Sequence, residues 1–353
     1  MLDRADRLAV SVAETGLDSL LVTELTNVRY LTGFAGTNGA CLIGPESRVF
    51  LTDFRYTERA AAEVEGWSIE IVSGEWLGGL AERLHGRVGI EDDHVTVRTA
   101  AKLKEAAPDT VELVEAGGSV EALRRVKDAS EIERIAAAAE LTDALYNESM
   151  ERGLIGKTEA EVAAHVVARM REEGAEPSFP PIVASGPNGA SPHAEPGPRV
   201  IGKGELVTMD MGALLDGYCS DCTRTFATGM LEEEASRIYE ITLEANDRAL
   251  AAVRAGAIAS DVDAVARDII KDAGYGENFG HGLGHGVGLE VHEGPRLGTR
   301  SEDVLAVGEV VTIEPGIYVS GLTGVRIEDL VVVGENGIDR NLSSISKALT
   351  YVE

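Results

Sequence analysis

Two stretches in the second half of the chain put acidic residues where a folded protein seldom tolerates them. Asp210 and Asp221 lie in VTMDMGALLDGYCSDCTRTF, and Glu314 and Glu328 lie in VTIEPGIYVSGLTGVRIEDLVVV. Both stretches are rich in β-branched and apolar residues. They read as core strands, where unpaired charges are rare. Each also reads as a hairpin. With the first tip at Leu215-Asp216, residue 210 opposes 221, and Asp216-Gly217 suits a turn there. With the second turn centred on Gly321, residue 314 opposes 328. Opposed residues share a face of the sheet, with Cβ atoms about 4.5–5.5 Å apart. Two like charges about 5 Å apart repel by roughly 3 kcal/mol at an effective dielectric near 20. A fold that repeats this arrangement needs cations, or a proton on one acid of each pair. Two divalent cations balance the four carboxylates, provided any imidazole ligand is neutral.

The imidazoles stand between the two pairs, in FGHGLGHGVGLEVHEGPR, which holds His281, His285 and His292. Glycines at 280, 282, 284, 286 and 288 argue against a helix. They favour an extended segment that approaches a ligand closely and leaves the histidines uncrowded.

The remaining chain supplies the frame. At 353 residues it is long enough for two domains. Residues 1–120 alternate strand-like and helix-like segments, which predicts an α/β domain with a mixed sheet. Glu115-Ala-Gly-Gly-Ser119 marks a boundary, and residues 121–353 form the second domain. It opens with a long helix over 121–152, which the capping-box spacing of Asp128 and Glu131 can break. A second helix starts at the capping box Thr158–Glu161, and loops crowd 177–198. Helices over 232–254 and 260–273 follow, the latter opening at Ser260-Asp-Val-Asp263. Helices followed by a hairpin, twice, predict an internally duplicated α+β domain, although the halves show little shared sequence.

Charge narrows the partners. Sixty acids against 32 bases give a net charge of −28, and only seven of the bases are Lys. Such a surface disfavours nucleic acid and anionic membrane. Acids dispersed along the chain with little Lys resemble proteins of a high-salt, halophilic cytoplasm. No run of 18 apolar residues predicts a membrane span. The start MLDRADRLAV lacks a signal-type apolar stretch, so a cytoplasmic location is expected. Cys219 and Cys222 form a lone CxxC in a strand, where positions three apart face opposite sides. That favours a structural role over redox or zinc chemistry.

With these residues assembled, the chain resembles the Xaa-Pro peptidase family of the pita-bread metallopeptidases, which includes Xaa-Pro dipeptidase (prolidase) and aminopeptidase P. The resemblance spans the chain. TNVRYLTGFAGTNGACLI, FLTDFRYTERA and LRRVKDASEIERI match the leader domain and linker. SPHAEPG, MDMGALLDGYCSDCTRTF, HGLGHGVGLEVHEGPR, IEPGIYV and GVRIED match the catalytic domain in order. The resemblance implies a creatinase-like α/β N-terminal domain and a pita-bread α+β catalytic domain with a pseudo-twofold duplication. It implies that Asp210 chelates one metal, that Asp221 and Glu328 bridge two, and that His285 and Glu314 complete the second. His193 and His292 would contact substrate and stabilise the tetrahedral species, with His281 lining the site and Glu314 moving the proton. Tyr318 and Arg326 fall at positions around the ligands, and Arg296 and Arg300 at positions that read the substrate carboxylate. Oxygen ligands with one imidazole favour Mn2+ or Co2+, with Zn2+ third. The expected reaction is hydrolysis of the Xaa-Pro bond in short proline-containing peptides, by a homodimer. Xaa-Pro dipeptides are the first expectation and aminopeptidase P activity the alternative. A non-catalytic binding protein on the same fold is disfavoured by the complete ligand set. A methionine aminopeptidase is disfavoured by the extra N-terminal domain.

Overall fold

The computed structural model describes residues 3–45, 47–73, 80–81 and 83–353. The chain forms two compact units, Met1–Arg124 and Arg125–Glu353. No helix among the described residues is long and apolar enough to cross a membrane.

The N-terminal unit is built on a mixed six-stranded sheet. Its strands are β1 (Ser19–Val22), β2 (Ala40–Gly44), β3 (Ser47–Asp53), β4 (Ser68–Val72), β5 (Arg87–Ile90) and β6 (Glu112–Glu115), in the order β4-β3-β2-β1-β5-β6. The β1–β2 and β2–β3 pairs are antiparallel, and the other three are parallel. Helix α1 (Arg4–Glu14) precedes the sheet, and α2 (Leu25–Thr32), α3 (Thr57–Glu63) and α4 (Val97–Ala106) lie between its strands. Short α5 (Ser119–Arg125) follows the sheet. The alternation predicted from sequence is therefore present.

The second unit has two helix pairs and two sets of strands. Helix α6 (Ala129–Arg152) starts at a capping box between Asp128 and Glu131, and α7 (Glu159–Glu172) at one between Thr158 and Glu161. Each box satisfies amides that a helix start leaves open. Strands β7 (Glu176–Pro177), β8 (Ile182–Ser185), β9 (Leu206–Met211), β10 (Ala213–Leu215), β11 (Tyr218–Cys219) and β12 (Cys222–Ala227) follow. The second half repeats the plan with α8 (Glu233–Ala252) and α9 (Ala259–Asp272). Its strands are β13 (Gly284–Gly286), β14 (Glu293–Leu297), β15 (Val310–Ile313), β16 (Gly316–Val319), β17 (Thr323–Arg326), β18 (Asp329–Val333) and β19 (Ile338–Asn341). Ser260 does not cap α9; the N-cap is Ile258, with no side-chain hydrogen bond.

Each half packs its helices on its own strands. Leu145, Val162 and Met170 bury against Val183, Met209 and Phe226, while Ile238, Val262 and Ile270 bury against Ile313, Ile327 and Val331. A third cluster, including Ile135, Ala139, Tyr218, Val310 and Leu330, joins the halves. A sequence repeat also emerges. Gly204-Glu-Leu-Val-Thr-Met-Asp-Met-Gly212 matches Gly308-Glu-Val-Val-Thr-Ile-Glu-Pro-Gly316 position by position, aligning Asp210 with Glu314. The hydrogen bonds repeat with it. Gly156 N donates to Ile201 O at 2.9 Å as Gly256 N does to Leu305 O at 2.8 Å. Glu205 accepts from Gly202 N and Glu309 from Ala306 N, each three residues back.

Behind the acidic strands lies a buried ion pair. Arg224 and Asp329 meet at 2.8 Å with both side chains 1% exposed. Arg224 also donates to Thr223 O, Glu328 O and Ile345 O. Removing one partner of such a pair strands the other charge. Lys347 still reaches Asp329 at 2.8 Å. Arg224→Met should therefore lower the unfolding free energy by about 3 kcal/mol, the low end for such a break. Denaturant titration measures this; a loss under about 1 kcal/mol would contradict it.

Candidate metal centre

The first hairpin turns one residue later than predicted. Leu215 pairs with Tyr218 and Asp210 with Thr223. Asp216 and Gly217 form the tip, with φ of 50° and 86°. Two positive φ values are what a two-residue hairpin turn of matching twist requires, and Leu215 is poorly suited to supply one. Asp221 is thus displaced by two from the position opposite Asp210. A shift of two keeps it on the same face. The second hairpin has the predicted register. Ile313 pairs with Asp329 on one side and Gly316 with Arg326 on the other. Glu314 and Glu328 fall in the gap between these two ladders.

These acids and His285 converge on the floor of one cavity of about 710 Å³. Single ligand atoms of Asp221, His285 and Glu328 lie within 4.8 Å of one another. His285 Nε2 stands 3.3 Å from Glu314 Oε1 and 3.6 Å from Asp221 Oδ2. Its Nδ1 faces Gly286 O at 3.1 Å, which places a proton on Nδ1; in the neutral ring Nε2 is then an electron-pair donor, and in the protonated ring it donates to Glu314. The glycines around it serve backbone approach. A Cβ on Gly284 would sit 2.0 Å from Thr312 O, and one on Gly286 2.0 Å from Gly294 O. They let strands close beside the histidine, rather than merely sparing it side-chain crowding.

The carboxylates carry unmet bonding capacity. Asp210 Oδ1, Asp221 Oδ1 and Glu328 Oε1 are buried and accept no hydrogen bond among the described residues. Burial, and then the charge of neighbouring carboxylates, hold Asp221 and Glu328 well above the ordinary carboxylate range: Glu328 acts on Asp221, and Glu314 and Asp210 act on Glu328. Burial also raises Asp210, against the pull of Arg326. Burial pushes Glu314 up, but its hydrogen bond to His285 brings it below its usual value. Burial likewise pushes His285 down, and Glu314 lifts it above. Inward-facing acids with open lone pairs and one imidazole lone pair suit divalent cations. The residues present fit such a centre.

Arg326 frames the acids. Its Nη2 donates to Asp210 at 2.6 Å and its Nε to Thr223 Oγ1 at 3.0 Å; Thr223 in turn donates to Glu328 Oε2 at 2.8 Å. Its Nη1 donates to Tyr318 Oη at 2.9 Å and Pro192 O at 3.3 Å. Because Tyr318 Oη accepts from Arg326, its own proton points to His281 Nε2, 2.8 Å away. His281 Nδ1 faces Gly282 O at 2.8 Å. Both nitrogens of His281 are thus engaged, and Tyr318 and Arg326 bond to protein groups.

His193, His281, His292 and Arg296 line the same cavity. The His292 ring lies 4.4 Å from that of His285. Burial and the charge of His285 lower the pKa of His292. Arg300 lies apart, in an adjoining cavity that shares His281 and Arg296. Supporting groups absent from the sequence expectation also appear. Asp263 pairs with Arg267, whose guanidinium donates to Phe279 O and His281 O. Buried Glu159 gathers Ser185, Asn188 and Gly197 around the loop of His193. The three cysteines are free and buried. Burial raises the Cys222 thiol well above its usual value, consistent with a structural role.

The geometry accords with the comparisons to known proteins. The model of metallopeptidase family M24 matches residues 133–335, and that of the creatinase/prolidase N-terminal domain matches residues 4–126. The uncharacterized peptidase YqhT of Bacillus subtilis is 39% identical over 98% of this chain and 99% of its own. A solved Xaa-Pro dipeptidase from Bacillus anthracis superposes with a TM-score of 0.96 at 39% identity, covering 99% of both chains. A solved X-Pro aminopeptidase from Thermotoga maritima superposes at 0.91 with 34% identity, covering 99% of this chain and all of the other. With acids, imidazole and fold in agreement, the chain belongs to metallopeptidase family M24, with the creatinase/prolidase N-terminal domain attached.

Proposed function

We propose that the protein hydrolyses the Xaa-Pro peptide bond, with Xaa-Pro dipeptides as preferred substrates. The observation that carries this reading is the convergence of Asp210, Asp221, His285, Glu314 and Glu328 on the floor of a cavity whose wall holds Arg296. Those five residues would hold two divalent cations, Mn2+ or Co2+ by ligand type, which would supply an activated water and a Lewis acid for the scissile carbonyl. With a neutral imidazole, two cations and Arg326 exceed the four carboxylates by one positive charge. That excess suits the negative charge that develops during attack.

The remaining steps belong to side chains. His193 and His292 lie on the cavity wall, where an N–H from either ring can meet the oxyanion. Glu314 is positioned by His285 and by Thr312 Oγ1 at 3.3 Å, and carries the proton to the leaving nitrogen. Proline makes that transfer necessary, because its amide nitrogen bears no hydrogen and must gain one to depart. Among the described residues the guanidinium of Arg296 has no hydrogen-bond or ion-pair partner. A free substrate carboxylate after proline meets that need. This favours the dipeptidase reading over the aminopeptidase one, and the resemblance to the Bacillus anthracis dipeptidase supports it.

Protein loaded with Mn2+ or Co2+ should cleave Gly-Pro faster than Gly-Pro-Gly and fall silent in chelator. Arg296→Ala should raise KM for the dipeptide by at least about ten-fold with kcat within about two-fold. Steady-state kinetics on both peptides check this. Faster tripeptide turnover would favour the aminopeptidase, and full activity in chelator would remove the metal mechanism.

The raised Asp221, Glu328, Asp210 and His285 also set a sign for pH. The folded metal-free chain holds protons at these groups that the unfolded chain has released. Its stability therefore falls as pH rises through the raised values. Cations bind the deprotonated groups, so binding tightens over the same range. The Tm difference between Mn2+-loaded and metal-free protein should widen from about pH 5 to about pH 8, with groups elsewhere cancelling. A constant or narrowing difference would contradict it.

A further inference from the structure

We propose that Asn246, on the outer side of the second hairpin, is the positioning residue that aims Glu314 and Glu328 at the cations. It lies on α8, is fully buried, and bonds to backbone carbonyls and Lys347 rather than to either carboxylate. Its Nδ2 donates to Ile313 O at 2.8 Å and to Ile327 O at 3.1 Å. Those carbonyls belong to the peptide groups immediately preceding the two glutamates. The opposite edge of each peptide group is held as well. Glu314 N donates to Leu283 O at 2.8 Å, and Glu328 N to Thr223 O at 3.1 Å. A peptide plane fixed at both its oxygen and its nitrogen fixes the N–Cα bond of the following residue, which leaves only φ to set the direction of its Cα–Cβ bond.

Strand pairing alone does not provide this. The ladder stops at Ile313 and Asp329 and resumes at Gly316 and Arg326, so both glutamates sit where the two strands part. The amide of Asn246 spans the gap with its two N–H groups, one for each strand. Its orientation is set from behind, because Lys347 Nζ donates to Oδ1 at 2.7 Å. Only Nδ2 can then face the strands. The first half places a related group at the corresponding point. Tyr146, on α6, directs its hydroxyl at Met209 O, at 2.8 Å, in the peptide preceding Asp210, and at Cys222 O, at 2.7 Å. In each half, therefore, the first helix supplies a buried donor to strand carbonyls beside the acids.

This inference rests on the metal-centre reading and not on substrate choice. Its test is Asn246→Asp, which keeps the shape, removes both donors and sets an oxygen against two carbonyls. Mn2+ affinity is measured by isothermal titration of metal-free protein, alongside the Tm of the metal-free form. Asn246→Asp should bind Mn2+ at least about ten-fold more weakly, as loss of groups that orient ligands does elsewhere. Tyr146→Phe should weaken it in the same direction. A general structural role would lower the metal-free Tm while leaving the affinity of the folded protein unchanged, and that result would overturn the proposal. If Asn246→Asp does not accumulate as folded protein, Asn246→Ala removes the donors without the repulsion and is read by the same criterion. Wild-type protein that binds no divalent cation would sink the metal-centre reading, and this inference with it. Wild-type binding matched by the variants would sink the inference alone.

Discussion

Repulsion among Asp210, Asp221, Glu314 and Glu328 is the constraint on which the second unit depends. Strand packing buries Asp210, Asp221 and Glu328 and covers much of Glu314, and Asp221 and Glu328 respond by holding protons far above their usual range. The protein offsets part of the strain with one fixed cation. Arg326 bonds Asp210 directly and reaches Glu328 through the Thr223 hydroxyl. Glu314 is offset separately, by His285. What remains is three buried carboxylate oxygens with no donor among the described residues. A core that leaves such capacity open pays in stability unless ions fill it. The same arrangement would give such ions a rigid, preorganised seat of the kind electrostatic catalysis requires.

Most of the surrounding structure keeps these acids from relaxing apart. Arg224 and Asp329 tie the strands behind them to the segment at Ile345. Helices of both halves send polar groups into strand carbonyls. The histidine-bearing segments are gripped by other helices. The start of α7 holds the His193 loop through Glu159, and α9 holds the His281 segment through Asp263 and Arg267. The two halves use different side chains for one task. That is the expected outcome when a repeated backbone plan diverges in sequence while its load stays the same.

Much of this was readable from residues alone, for stated reasons. The register of the glutamate hairpin is legible because Gly321, with φ of 79°, marks a single turn centre. The register of the aspartate hairpin is less legible, because Asp216 takes a positive φ that its type adopts less often than glycine does. A shift of two leaves the shared face intact, so the metal reading stands. The capping boxes at Asp128 and Thr158 followed directly from local chemistry. Arg326 as the frame of the acids, His281 with both nitrogens engaged, and Asn246 across the ladder gap were not legible. Each depends on contacts between residues far apart in sequence. The internal repeat, by contrast, was open to inspection. Gly204-Glu-x-Val-Thr and Gly308-Glu-x-Val-Thr share their spacing.

Five side chains from five strand regions form the proposed two-cation centre. Crystals grown with Mn2+ and measured near the manganese absorption edge test it most directly. The account predicts two anomalous peaks per chain. Both should touch Asp221 and Glu328, with Asp210 at one and His285 and Glu314 at the other. A single peak, peaks away from these residues, or no peak at saturating Mn2+ would contradict it.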